Sequence, residues 1–600
     1  MIRVALLASF VLCIASQTSA QTPKKPPVTK SALCTRDIAV DNTKQQILFT
    51  RTFDLAVPRI AVLLRAADLL WPYEQDKALA AFMEAYDLAV QNFKERGDEI
   101  RRTSQSQFAA IIQVPDQRFK VISALAKRDH ARARKLSEQM LEDAAREAAD
   151  KAPADDQSQR KTAEKLLMVA HGLAADDPAA AVNFARQSFR YPATMYLAIF
   201  LYELAKKNQA ASDSFYQDAL AAYGEKPMDQ LLYLSAYPFG NDRDGGQMPG
   251  YTSYRIPEGF ARNQALQRLF VQRLLARAQA ALEVPSEVAP NRLPDQAQMW
   301  LALARLEAQI QTNLPDLSEA STQAKDKLYA FLTPTMQNRV TGVVSNDNAP
   351  KRSFDEQVEA AEKLSDVGRR DQGLTFAVTG SSKGETVERV VSVIDRISDS
   401  NVRNALLNWF YFFRTQALIG EKQLAEARKI AAKVVELDQR AYLFSRIAEE
   451  SLKENEDQTQ AREMLNELAA AVAKAPKTIV SARTLLALAY LYAKIDVNRG
   501  VEELGNAVKT INALESPDFS QQFVTMKIEG KTFGSFASFQ TPGFNPENAF
   551  REMGKLDFDG SLTQATTFAD KSLRALTTLA VIEPCLEVAP AKPATKKTKP

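Results

Sequence analysis

The sequence predicts an all-α chain, a right-handed α-solenoid of stacked antiparallel helical pairs, with one small β-hairpin inserted near the C-terminus. Three observations predict it. The composition favours helix, being rich in Ala, Leu, Glu, Lys and Gln, with only 21 glycines among 600 residues. Short polar turns punctuate the apolar stretches roughly every 30 to 48 residues within each half, the span of two packed helices and their connections. A phrase also recurs, made of Asp, a short spacer, Arg and then an apolar stripe at helical spacing.

The phrase stands as Asp116-Gln-Arg118, Asp399-Ser-Asn-Val-Arg403, Asp438-Gln-Arg440 and Asp570-Lys-Ser-Leu-Arg574. Three of the four place apolar residues four and seven positions after the Arg: Ile122 and Leu125, Leu407 and Phe410, Phe444 and Ile447. The fourth has Thr578 and Val581 there. An Asp at a helix start accepts backbone N–H bonds and suits the positive end of the helix dipole. The Arg is expected to pair with a carboxylate on the neighbouring repeat.

Taken in chain order, residues 1–20 are expected to be an export signal. Arg3 is their only charge, Val4 to Ile14 is apolar but too short to span a bilayer, and Thr18-Ser-Ala20 suits cleavage ahead of Gln21. No later segment approaches a membrane helix, so the mature chain is expected to carry no transmembrane segment. A Pro/Lys-rich leader, 21–35, precedes the first helical array, 36–333. The stretch 334–354, with Pro334 and Pro350 and few apolar residues, is expected to be a linker. A second array covers 355–587, and 588–600 is a basic tail expected to be disordered.

Two inserts interrupt the arrays. The first, 237–260, carries five glycines and five aromatics and so cannot be regular helix. The second, 517–560, carries eight phenylalanines, and within it Phe523–Ile528 and Thr532–Phe539 flank Gly530-Lys531 as a β-hairpin. Long loops in a compact array are often functional.

The net charge of +3 misleads about the body. Arg3 and seven lysines lie in the signal, leader and tail, and what remains is mildly acidic. Nucleic acid, which needs a concentrated basic face, is therefore not expected. Beyond Cys13 of the signal, two cysteines remain, Cys34 and Cys585. In an oxidising compartment they have one intramolecular pairing. A bridge needs Cα atoms within about 7 Å, so the array would have to curl until its ends meet or send one end back along itself. Two unrelated buried thiols are the other reading.

Chemistry is sparse. His130 sits in a charged turn, and His171 lies on the stripe of Leu167, Ala170 and Leu173. Neither has metal-ligand spacing, and no nucleophile motif occurs. Gly380-Ser-Ser-Lys-Gly-Glu-Thr386 lacks the Lys of a phosphate loop after its second Gly. No catalytic, cofactor or metal residues are expected.

Gly420-Glu-Lys-Gln-Leu-Ala425-Glu-Ala-Arg-Lys-Ile-Ala-Ala432 resembles the turn and second helix of a tetratricopeptide unit, with small residues seven apart. Arg65-Ala-Ala-Asp-Leu-Leu-Trp-Pro-Tyr-Glu74 and the Phe-rich insert are similar to exported tetratricopeptide-like helical-repeat proteins of acidobacterial type, a group that implies fold and compartment but no activity. The expectation is a non-enzymatic scaffold, periplasmic or secreted, binding a protein or peptide in the bacterial envelope. Tyr237, Phe239, Tyr251 and Tyr254 are its expected contact residues. The alternative is a carbohydrate-binding or carbohydrate-active envelope protein using the aromatic inserts and the carboxylates Asp242, Asp244 and Glu258, since glycosidic hydrolysis needs only two acids.

Overall fold

The computed structural model describes residues 31–97, 100–102, 111–113, 116–149, 156–240, 256–282, 293–348, 352–454, 458–515, 517–519 and 523–587. These are mostly helical, with two small antiparallel strand pairs. None of the described helices is long and apolar enough to cross a membrane.

Consecutive helices joined by short turns pack on each other. Examples are Ala56–Leu70 on Gln75–Arg96, Asp295–Asn313 on Pro315–Phe331, Leu437–Glu454 on Gln458–Lys474, and Ile479–Tyr492 on Val497–Asn512. Neighbouring pairs also touch through their first helices: Ser400–Gly420 packs on Leu437–Glu454, which packs on Ile479–Tyr492, which packs on Pro546–Gly554.

The recurring Asp begins helices, as the chemistry of the N-cap requires. Asp116 accepts the Arg118 N–H, Asp399 those of Asn401 and Val402, and Asp570 that of Leu573. Asp438 departs from the rule, being the second residue of its helix, where burial raises its pKa and its carboxylate accepts the Gln439 N–H at 2.8 Å. The expected role of the Arg is corrected in three of the four units. Arg118 forks onto its own Asp116, at 3.1 and 2.8 Å. Arg403 donates to the Ile397 carbonyl at 3.0 Å and Arg574 to the Phe568 carbonyl at 2.7 Å. In both of the latter, the Arg four residues after the cap reaches back to the carbonyl two residues before it. The side chain thus fastens the incoming turn to its own helix, which needs no partner repeat.

The expected linker is also corrected. Pro334–Asn348 is a helix, and Val340 is buried with Leu332, Ala297 and Leu301. Pro334 occupies the first helical position, where the missing N–H costs nothing. Residues 349–351 lie outside the described residues.

Helix Ala56–Leu70 is mostly apolar, broken only by Arg59, Arg65 and Asp68, and is buried on two sides. Ile60, Leu63, Leu64 and Ala67 enter a core shared with residues as far as Leu328. Val62, Ala66 and Leu69 enter a second core made with residues 412–586. The N-terminal helices therefore share a core with the C-terminal end, and the division at 334–354 does not separate two independent cores.

The sheets are minor. β1, Ile100–Arg102, pairs with β2, Ile111–Gln113, a pairing the sequence does not signal. β3, Phe523–Glu529, pairs with β4, Gly534–Gln540. This is the hairpin expected from the runs flanking Gly530-Lys531, with its turn one residue later than expected: the Gly530 N–H donates to the Phe533 carbonyl, so Lys531-Thr532 form the tip. Gly530 is needed for another reason, since a Cβ there would collide with the Phe533 ring.

Candidate functional site

The first insert does not present the aromatics its composition suggests. Tyr237 is 1% exposed and Phe239 0%, so the expectation that they meet a partner is corrected. They belong to the four-residue helix Ala236–Phe239, which turns them into the core. Tyr237 stacks on Tyr216 at 5.6 Å and meets Tyr202 and Phe260, while its hydroxyl donates to Asp213 at 2.7 Å. Burial pushes its pKa far above the usual phenol value. Phe239 meets Phe270 edge-on. Tyr251, Tyr254, Asp242 and Asp244 lie outside the described residues. Glu258 is exposed, beside a shallow cavity lined by Ile256, Pro257, Gly259, Phe260 and Arg262.

Cys34 and Cys585 form a disulfide with a Cα separation of 5.1 Å across 551 residues of sequence. Helix Arg36–Phe49 lies against Lys571–Leu586, and so does Ala56–Leu70. Around this seam the Leu586 carbonyl accepts bonds from Arg36 at 3.3 Å and Tyr73 at 2.7 Å. Arg65 lies 2.5 Å from Glu583 and 3.6 Å from Glu547, and Arg551 also binds Glu583. Burial raises the Glu547 pKa. Yet the Glu547 side chain keeps 27% of its accessibility. Both observations hold for a group open to water on one side and walled by protein on the others. Because every acid here faces an Arg or Lys, the cluster reads as the closure of the seam.

The second insert behaves in the opposite way. Val524, Met526 and Ile528 of β3 turn inward, onto helices Ser400–Gly420 and Leu437–Glu454. Their cross-strand partners on β4 are Phe539, Ala537 and Ser535. Phe539 lies 5.0 Å from Phe412, 5.7 Å from Tyr442 and 5.8 Å from Phe413, and Phe413 packs on Trp409 at 4.8 Å. Phe412 is buried, whereas Phe413 is 37% exposed and Trp409 only partly covered. On the outer face Phe536 is 78% exposed, opposite Lys527.

The hairpin has one guarded edge and one open edge. The Gly530–Phe533 bond sets the ladder, so Ile528/Ser535, Met526/Ala537 and Val524/Phe539 exchange hydrogen bonds. The backbone groups of the intervening residues point away from the pair. On β3 the Gln439 side chain covers this edge by donating to the Thr525 carbonyl at 3.2 Å. On β4 the outward N–H and C=O of Phe536 and Ser538 meet no backbone or side-chain partner among the described residues.

Sequence reasoning placed interest in this insert but missed Trp409 and Phe413. The available signal was Trp-Phe-Tyr-Phe-Phe at 409–413, because five consecutive aromatics on a helix point all round it and cannot share one core. No protein-family model matches the chain, and no curated protein matches it.

Proposed function

We propose that this chain is an exported, non-enzymatic helical-repeat scaffold that holds a protein or peptide partner in the bacterial envelope. The observation that carries this reading is the pair of accessible aromatics beside the hairpin, Trp409 and Phe413, with Phe536 exposed on the hairpin's outer face. Clustered aromatics that remain accessible are typical anchors for partners.

The helical pairs wind, in this proposal, as a right-handed solenoid of tetratricopeptide type. Its support is a recurrent step between ion-paired residues. Asp355–Arg389, Glu362–Arg396, Arg428–Glu463 and Arg462–Asp496 are each separated by 34 or 35 residues, close to the ~34-residue unit of that repeat. The likeness to exported repeat proteins of acidobacterial type belongs to the same proposal. The disulfide supports an oxidising compartment, periplasmic or extracellular.

A pull-down from envelope extract tests the reading. The full chain is expected to retain a protein or peptide that the Trp409→Ala/Phe413→Ala double variant, with unchanged helix content, does not. An empty pull-down under mild conditions overturns it, as does equal retention by both forms.

A further inference from the structure

We propose that the open edge of β4 is a docking site for an extended peptide, which adds to the hairpin as a third strand. This rests on the partner-binding function just proposed and gives it a mode and a ligand class.

Three features define the occupant. The first is hydrogen bonding. Phe536 and Ser538 present two outward N–H and two outward C=O groups at strand spacing, a pattern matched by an extended backbone. The second is the absence of protection. Exposed edges are ordinarily blunted by lysine, proline, a bulge or a covering side chain. The β3 edge has such a cover in Gln439, and β3 itself carries Lys527 and Glu529. β4 is Gly-Ser-Phe-Ala-Ser-Phe-Gln, with no charge, no proline and an unbroken register. The third is the floor beside it. Phe413 touches the inward-facing Phe539 of β4, packs on Trp409 and is still 37% exposed, so apolar surface remains accessible next to this strand.

Alternation follows from the pleat. Every second residue of the peptide faces the helices and meets Trp409 and Phe413, so those positions are apolar. The residues between face outward beside Phe536 and Lys527 and are free to be polar. The size of the edge favours a peptide over a second copy of this chain. Seven strand residues span about 23 Å, and pairing along them buries roughly 500–700 Å² in total, short of the ~1,000 Å² that a stable interface between folded proteins requires.

The test is selection of phage-displayed random peptides against the full chain, followed by binding measurements with the best synthetic peptide. The expected winners alternate apolar and polar residues. Ser538→Pro removes one outward N–H without touching a β3–β4 bond and is expected to weaken binding roughly tenfold or more. Ser538→Lys, which keeps the backbone free to fold, is expected to weaken it as well. N-methylation of alternate peptide amides abolishes binding in one phase and spares it in the other. Equal affinity for wild type, Ser538→Pro and Ser538→Lys overturns strand addition but leaves peptide binding standing. Loss only in Trp409→Ala also overturns it, in favour of side-chain recognition alone. Selection that enriches no peptide overturns both this inference and the function beneath it.

Discussion

The two aromatic inserts have similar compositions and opposite fates. In the first, Tyr237 and Phe260 pack with Tyr202, Tyr237 also stacks on Tyr216, and Phe239 meets Phe270, so the insert's described aromatics seal the core. In the second, Phe539 seals the core while Phe536 stands in solvent. The difference lies in the backbone that carries the rings. A short helical turn against a larger helix can bury all its large side chains on one side. A two-stranded hairpin on a helical floor has a period of two, so every second side chain must face away. Aromatic richness marks an insert as ordered, and the element type decides whether it can also be a surface.

The largest expected effect breaks this comparison outright. Tyr237→Ala empties a position among three rings and leaves the Asp213 carboxylate without its hydroxyl donor. A loss of roughly 3–5 kcal/mol in urea unfolding is expected. Phe536→Ala should change stability by less than about 0.5 kcal/mol, as surface substitutions do. Similar costs at the two sites would mean that the inserts do not differ as described.

Removing the disulfide asks whether the sealed region extends to the seam. Cys34→Ser/Cys585→Ser is expected to cost roughly 2–4 kcal/mol, below the ~6 kcal/mol that chain entropy alone assigns to so long a loop. The shortfall is the usual one where the unfolded chain keeps residual structure, while the other seam contacts, including Arg65 with Glu583 and Tyr73 with the Leu586 carbonyl, hold the fold together without the bond. Hydrogen exchange locates the effect: amides of Arg36–Phe49 and Lys571–Leu586 should open first, with β3 and β4 unchanged. Early opening of the hairpin would show that it depends on the seam.

Next in size come the back-reaching arginines. Arg403→Met and Arg574→Met each lose a charged hydrogen bond to a carbonyl just before their helix. About 1–2 kcal/mol each is expected by thermal unfolding. An effect near zero would mean that water replaces the guanidinium at no cost.

Much of the helical background was legible because it repeats. Asp caps and apolar residues at helical spacing are local signals, and so is the Gly530-Lys531 turn between the two hairpin runs. What failed was direction and distance. Tyr237 and Phe239 were visible as aromatics, but only tertiary packing shows that they point inward. Pro334 read as a breaker because proline before a polar stretch usually is one, whereas at the first helical position it starts a helix. Arg403 and Arg574 were assigned to a neighbouring repeat because the bond they make, to a backbone carbonyl, has no residue-type signature. The two cysteines could be counted, but their proximity depends on how the helices Arg36–Phe49, Ala56–Leu70 and Lys571–Leu586 meet.

The smallest expected effect is a slope, and it tests whether the seam is walled by protein as its charges imply. Burial raises the Glu547 pKa above the ordinary 4.5, against the opposing pull of Arg65 and Arg551. Between 4.5 and that raised value the folded chain holds a proton that the unfolded chain has already released. Stability therefore falls as pH rises through this window, and the penalty is complete above it. Glu547→Gln keeps the shape and removes the titration, so it should flatten this part of the stability–pH curve and leave the protein at least as stable at neutral pH. Urea unfolding at a series of pH values reads both quantities. A Gln variant that is less stable at neutral pH would show that the Arg65 ion pair outweighs burial. The seam would then owe its hold to charge as much as to the apolar contacts and the disulfide around it.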